Sequence, residues 1–291
     1  EDGTINEQWA IETLRNAIDN GLTYVDTAYA YKDSERVTGL CLQDGYREKV
    51  TLASKLPVRM MTCAEDFDRI LNEQLQRLQT DHIDYYLLHA LNRETWEREV
   101  KQYRVLEQAE KAKQEGKIKY IGFSFHDNLD AFRYILNAYD KWEFCQIQLN
   151  YMDVNYQAGI TGLEEAYEKG LAVVIMEPLR GGRLADVPKE IADLLPGDPV
   201  ESALDFLWNR KEVSRCLLPV LRLVDGERKS SVEMATNCTP ISQNNVDKIV
   251  SMAIAGQLLG KSLIYLEAGS GAHAPVSPDI IRAVRAQLQL P

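Results

Sequence analysis

Cysteine is scarce and poorly spaced for pairing. The five thiols, Cys41, Cys63, Cys145, Cys216 and Cys238, are odd in number and far apart, and no zinc-binding or redox spacing joins them. A disulfide framework and a structural metal centre are therefore not expected, and free thiols point to a reducing cytoplasm. Long apolar runs are missing too. No stretch approaches the ~20 residues that a bilayer-spanning helix needs, and the chain opens Glu1-Asp2-Gly3 instead of with a basic, then apolar, leader. Neither a membrane span nor a secretion signal is expected. Positive charge is in deficit, with 33 basic residues against 44 acidic ones and a formal net charge of −11. That balance argues against nucleic acid or an anionic membrane as the main partner. It leaves small anionic molecules open, because local arginines and backbone amides bind phosphate even on an acidic protein.

What the chain does have is alternation. Strand-like runs occur at 23–29 (TYVDTAY), 50–56 (VTLASKL), 83–91 (IDYYLLHAL), 119–125 (KYIGFSF), 144–150 (FCQIQLN), 172–177 (AVVIME), 216–224 (CLLPVLRLV) and 262–269 (SLIYLEAG). Helical patterns accompany them, the longest at 94–116, with others at 6–21 (NEQWAIETLRNAIDNG), 65–78, 128–139, 162–169, 200–208, 245–259 and 278–288. Several helices end in glycine, at Gly21, Gly116 and Gly170, where a left-handed residue closes the last turn. Strand and helix in regular succession over 291 residues predict an α/β protein of the (β/α)8 TIM-barrel type, folded as one domain spanning 1–291.

Four ionisable residues sit at or just beyond the downstream ends of three successive strand-like runs: Asp26 and Tyr31, then Lys55, then His89. Charged groups are costly to bury unless paired or used, and barrel enzymes build their sites at the carboxyl ends of strands. The types suggest a chemistry. A tyrosine, with an ordinary pKa near ~10, becomes a useful proton donor when a cation stabilises its phenolate. Lys55 supplies a cation, Asp26 a carboxylate to orient it, and His89 a hydrogen bond for a carbonyl oxygen. Such a set protonates an oxygen as negative charge develops there, which carbonyl reduction requires. The hydride must come from a cofactor, since no side chain provides one. His82 and His126 have no such context and read as structural or solvated. Trp9, Trp96, Trp142 and Trp208 read as packing residues.

The words DTAYAY, ASKLP and DYYLLHAL, in that order, resemble the aldo-keto reductases, as do KIKYIGFSFHD, CQIQLNYMDVNYQAGI and GLAVVIMEPLRGGRL. The similarity runs from about residue 5 to about residue 213. It implies a (β/α)8 barrel that reduces aldehydes or ketones with NADPH or NADH, with Asp26, Tyr31, Lys55 and His89 as the catalytic tetrad. It also implies Ser124 and Gln146 at the nicotinamide carboxamide, and Leu179, Arg180, Gly181 and Gly182 beside the cofactor's ring and pyrophosphate. No metal is implied. The branch it most resembles often carries a cysteine-rich iron-sulfur tail, which this chain lacks.

From about Leu217 the wording changes. VDGERKSSVEM, TPIS, YLEAGSGA and PVSPDIIRAVR resemble the geranylgeranylglyceryl or heptaprenylglyceryl phosphate synthases, a second barrel family. There the positions matching Tyr265, Glu267, Gly269 and Gly271 lie at a glycerol phosphate site. That family's amino-terminal acidic metal region has no counterpart here. The chain thus reads as a hybrid of two barrel fragments, six strands from one and two from the other, with the run at 262–269 expected to close the sheet beside 23–29. Two functional readings stay open: a nicotinamide-dependent carbonyl reductase, or a barrel scaffold without efficient turnover that keeps weak phosphate binding. Substrate identity, the choice between NADPH and NADH, and oligomeric state are not legible.

Overall fold

The computed structural model describes residues 7–185, 187–217, 221–224, 241–242, 249–250, 266–267 and 277–287. One parallel sheet holds seven strands in chain order: β1 (Tyr24–Asp26), β2 (Thr51–Leu56), β3 (Ile83–Leu91), β4 (Ile118–Phe125), β5 (Phe144–Gln148), β6 (Ala172–Met176) and β7 (Val213–Cys216). Neighbouring parallel strands need a crossover. Helices provide it: α1 (Glu7–Asp19) precedes β1, and α2 (Ser34–Cys41), α3 (Asp66–Leu78), α4 (Val105–Gln114), α5 (Leu129–Ala138), α6 (Gly159–Glu168) and α7 (Pro199–Trp208) fill the successive gaps. The glycines at two helix ends act as the sequence suggested. Gly116 (φ 75°) and Gly170 (φ 84°) are left-handed, and the next amides, of Lys117 and Leu171, return to Ala112 and Ala166 at 3.0 Å each.

Side chains alternate across a strand, and here the two parities do different work. The outward set, including Leu52, Leu56, Tyr86, Leu88, Ile121, Phe123, Phe125, Cys145 and Ile147, is buried under the helices in one large core with Phe67, Ile70, Ile135 and Leu163. The inward set starts at the amino ends with Tyr24, Tyr85, Phe144 and Ala172 packed round Ala53 and Leu87. Gly122 opposes Phe144 in the ladder, and a Cβ there would meet the Phe144 ring at 2.5 Å, so only glycine leaves room for that ring. Two residues further along each strand, the same parity delivers Asp26, Lys55, His89, Ser124 and Gln146 toward the carboxyl ends. The sheet curls enough that Arg215 of β7 lies over the Tyr24 ring of β1, 5.0 Å from its centroid.

Three expectations change. The helix expected over 94–116 is broken: Trp96–Val100 forms a π-helical turn, Arg104 adopts φ 52°, and α4 starts only at Val105. The run expected as one strand over 216–224 is divided. Cys216 ends β7, whereas Leu221–Val224 forms β8 of a second, three-stranded parallel sheet with β9 (Ile241–Ser242) and β10 (Leu266–Glu267). The run contains Pro219, a residue type with no N–H for a ladder and therefore unfavourable to one continuous strand; residues 218–220 lie outside the described residues. The pairing of 262–269 with 23–29 is likewise not what forms: Leu266 and Glu267 align with Leu221 and Arg222. Glu267 therefore belongs to the second sheet, while the expected helix at 245–259 falls, apart from 249–250, outside the described residues. Helix α2 had no clear signal in the sequence. The last helix, α8 (Pro278–Gln287), lies where expected.

Candidate active site

Asp26 ends β1, and Thr27 continues its course by donating its amide to Ala53 O at 2.9 Å. Opposite stands Lys55, 1% exposed and among the largest fully buried side chains. Its ammonium pairs with Asp26 Oδ1 and donates to the Thr27 carbonyl at 2.8 Å. The second Asp26 oxygen accepts from Gln146 Nε2 of β5 at 2.7 Å. Both charges thus have additional hydrogen bonds, the condition under which a buried ion pair persists.

Tyr31 lies in the turn after β1, held by its amide on Ala28 O at 3.0 Å and by its carbonyl accepting from Ser34 N at 2.9 Å. The Lys55 ammonium stands 5.1 Å from the centroid of its ring, on the cation–π side of the phenol. The His89 ring meets Tyr31 edge to face at 5.7 Å. His89 comes from the end of β3, where the register shifts between Leu88 and Leu91 and Ala90 takes φ 52°. Ser124 Oγ accepts the freed Ala90 amide at 2.7 Å, which fixes this irregularity. Burial holds the His89 pKa down at about 4, with the charges of Lys55, His126 and Arg59 adding to the effect. The imidazole is therefore neutral at pH 7, with one N–H to donate.

The structure thus brings Asp26, Tyr31, Lys55 and His89 together at one end of the sheet, with Ser124 and Gln146 alongside. Ser124 and Gln146 are buried, and Gln146 Oε1 is a buried acceptor with no hydrogen-bond partner among the described residues. Leu179, Arg180, Gly181 and Gly182 form the turn after β6. Leu179 is buried, and Arg180, Gly181 and Gly182 all have positive φ. Arg180 Nε holds Asp153 Oδ2 at 2.9 Å, and Asn150 Nδ2 joins that carboxylate (3.1 Å) to the Glu177 carbonyl (3.2 Å). Tyr265, Gly269 and Gly271 lie outside the described residues, and for Glu267 only the backbone strand is described. Among the described residues no cluster of histidine, cysteine or carboxylates could hold a metal ion.

Sequence reasoning missed several supports of this centre. The Thr27 carbonyl is invisible because any residue supplies one. Asn150, fully buried, orders the loop after β5 by accepting from Met152 N and Asp153 N, a local turn its residue type could have signalled. A second buried network backs β2: Glu35 Oε1 accepts from Ser54 Oγ (2.6 Å) and Gln74 Nε2 (2.7 Å), and Tyr86 OH donates to Gln74 Oε1 at 2.7 Å.

The fold and the cluster define an α/β barrel-type protein whose polar centre lies at the carboxyl ends of its strands. The chain belongs to the Aldo/keto reductase family, whose model matches residues 1–259. That match starts earlier and ends later than the motif resemblance. It is 31% identical over 212 residues to the uncharacterised oxidoreductase YrpG of Bacillus subtilis, covering 62% of this chain and 63% of that one. A shorter similarity, 45% identity over 69 residues, relates it to a geranylgeranylglyceryl phosphate synthase of Zunongwangia profunda and covers 24% of this chain and 30% of the synthase. The chain therefore spans less than two thirds of either relative. Among solved structures, the aldo-keto reductase AKR11C1 of Bacillus halodurans superposes with a TM-score of 0.62 over 90% of each chain at 23% identity. An aldo-keto reductase of Klebsiella pneumoniae, solved in complex with NADPH, gives 0.59 over 94% of this chain and 91% of that one at 21% identity.

Proposed function

We propose that this protein reduces small aldehydes or ketones with NADPH or NADH. The observation that carries the proposal is the buried Lys55 ammonium, clasped by Asp26 and the Thr27 carbonyl and set 5.1 Å from the Tyr31 ring, with a neutral imidazole beside it. Tyr31 is the general acid. As its proton leaves for the carbonyl oxygen, negative charge grows on the phenol, and the fixed ammonium stabilises that charge without having to reorganise. Asp26 keeps Lys55 in place. His89 cannot be the proton source at neutral pH because its imidazole carries no extra proton, so its part is to orient the carbonyl by donating one N–H.

The residues present fit a nicotinamide. Its carboxamide needs an acceptor and a donor, and Gln146 Oε1 is a buried, unpartnered acceptor, while Ser124 Oγ already accepts from Ala90 and has its own proton to give. Leu179 would border the ring, and Arg180, Gly181 and Gly182 the pyrophosphate. When bound, the reduced cofactor supplies the hydride. The Klebsiella pneumoniae relative solved with NADPH supports the same cofactor class. The free thiols of Cys41, Cys63 and Cys145 suit a cytoplasmic setting.

Replacing Tyr31 with Phe tests the proposal. Turnover of an aldehyde should fall by about 10²–10⁴-fold, the usual worth of a placed acid, while quenching of protein fluorescence by NADPH keeps its midpoint. Unchanged turnover refutes the assignment. The second reading, a hybrid barrel scaffold with weak phosphate binding, draws on the 69-residue similarity to the prenylglyceryl phosphate synthase. It alone is left standing if neither NADPH nor NADH binds at millimolar concentration.

A further inference from the structure

Arg59 lies in the helical turn Val58–Met60, four residues beyond Lys55 on the loop that leaves β2. Its charge reaches both His89, at the end of β3, and His126, just after β4. The turn follows the carboxyl end of β2 directly, so Arg59 lies at the end of the sheet where Tyr31 and His89 also lie. Its surroundings set it apart. Arg36, Arg47, Arg69 and Arg77 hold carboxylates, and Arg93, Arg210 and Arg215 lie over aromatic rings. Among the described residues Arg59 has no carboxylate, carbonyl or ring partner, and it is exposed.

A protein of net charge −11 repels anions at long range. An unpaired guanidinium at the mouth offsets that repulsion locally and offers a forked donor pair that matches a carboxylate. Both neighbouring imidazoles are held below the ordinary histidine value, by burial first and with Arg59 adding to it, so at pH 7 Arg59 does not share the mouth with a charged histidine. Apolar surface is exposed in the turns at the same end of the sheet: Met60, its chain neighbour, is 54% exposed and Tyr31, in the turn after β1, 47%. Together these ask for a molecule with an apolar body, a carbonyl that reaches Tyr31 and His89, and an anionic group left at the rim.

We propose that Arg59 selects carbonyl substrates that carry a carboxylate on an apolar body, pairing with that carboxylate while the carbonyl faces Tyr31. The proposal rests on the reductase reading for its chemistry, but Arg59 can be tested without it.

The experiment compares 4-carboxybenzaldehyde with benzaldehyde, using the full chain as wild type, Arg59→Met and Arg59→Lys. The ratio of kcat/KM for the carboxylated over the plain aldehyde should fall at least tenfold in Arg59→Met, mainly through KM, and recover in part in Arg59→Lys, since lysine keeps the charge but not the fork. A ratio that stays within twofold of wild type overturns the proposal. If neither aldehyde is turned over, the reductase reading has failed, and Arg59 is judged from calorimetric titration with 4-carboxybenzyl alcohol. Binding at least tenfold weaker in Arg59→Met supports the assignment. Equal affinity in the two proteins, or no binding to wild type at millimolar ligand, overturns it.

Discussion

His89 makes the electrostatics of the site measurable. Its pKa is held at about 4, against ~6.5 for a histidine in an unfolded chain. With the folded value below the unfolded one, the unfolded state binds more protons at intermediate pH, so the contribution is fully present above pH ~6.5 and is lost as pH falls toward 4. From those two values, linkage gives a loss of about 2 kcal/mol at pH 5 and almost none at pH 7. His89→Gln removes the titration and leaves a pH-independent packing change. The stability difference between wild type and variant, from urea unfolding, should therefore shift by about 2 kcal/mol between pH 7 and pH 5. The shift itself can be read directly, because the chain has four histidines and their ring protons can be followed by NMR. One resonance, missing in His89→Gln, should stay at its neutral position until pH approaches 4. If it titrates between pH 6 and 7, His89 is a competent acid near neutrality and the assignment of proton donation to Tyr31 loses its main argument.

Two further outcomes are expected from the interior. Lys55→Met leaves the partly buried Asp26 carboxylate with only the Gln146 hydrogen bond and should cost about 3 kcal/mol of stability, the lower end for a broken buried pair, read as a lowered urea midpoint; a midpoint equal to wild type contradicts a buried, paired Lys55. Gly122→Ala drives a methyl to 2.5 Å from the Phe144 ring and 2.6 Å from its carbonyl oxygen, an overpacking expected to cost about 1–3 kcal/mol. The penalty should shrink but not vanish in a Phe144→Leu background, since the carbonyl contact remains, and equal penalties in both backgrounds would show that the ring is not what glycine accommodates.

Those interior positions show what was legible in the sequence. The first six strands and most helices could be read because alternation and glycine caps are local signals. So could the convergence of Asp26, Lys55 and His89, since period-two geometry and parallel order put like positions of neighbouring strands on one face. Relations between elements distant in sequence were not legible. Gln146 reaches Asp26 over 120 positions, and Glu35 serves Ser54 and Gln74 from a helix with no signal of its own. The expected helix over 94–116 is interrupted within a favourable composition, by a π-helical turn at Trp96–Val100 and a left-handed Arg104 before α4. Around Pro219, local apolarity suggested one strand, whereas two sheets divide the run.

That division bears on how the site is held. The expected closure, a final strand beside β1, would have made the position of Asp26 depend on the C-terminal segment. In the structure Asp26 is located by others: the ladder Tyr24–Thr51 to Asp26–Ala53 fixes its backbone, and Lys55 and Gln146 fix its carboxylate. Gln146 belongs to β5, across the curled sheet from β1, so a side-chain bridge joins two strands that, among the described residues, no backbone ladder connects directly. Near the amino ends, Arg215 over Tyr24 makes a second crossing from β7 to β1. Among the described residues the centre is thus assembled from β1 to β5 and braced through the interior. The proposed proton donor Tyr31 and the pair proposed for the nicotinamide, Ser124 and Gln146, accordingly belong to strands β1 to β5 and the turns that follow them. Any influence of the C-terminal segment should therefore appear in cofactor affinity, and not in the pKa of His89 or the effect of Tyr31→Phe on turnover.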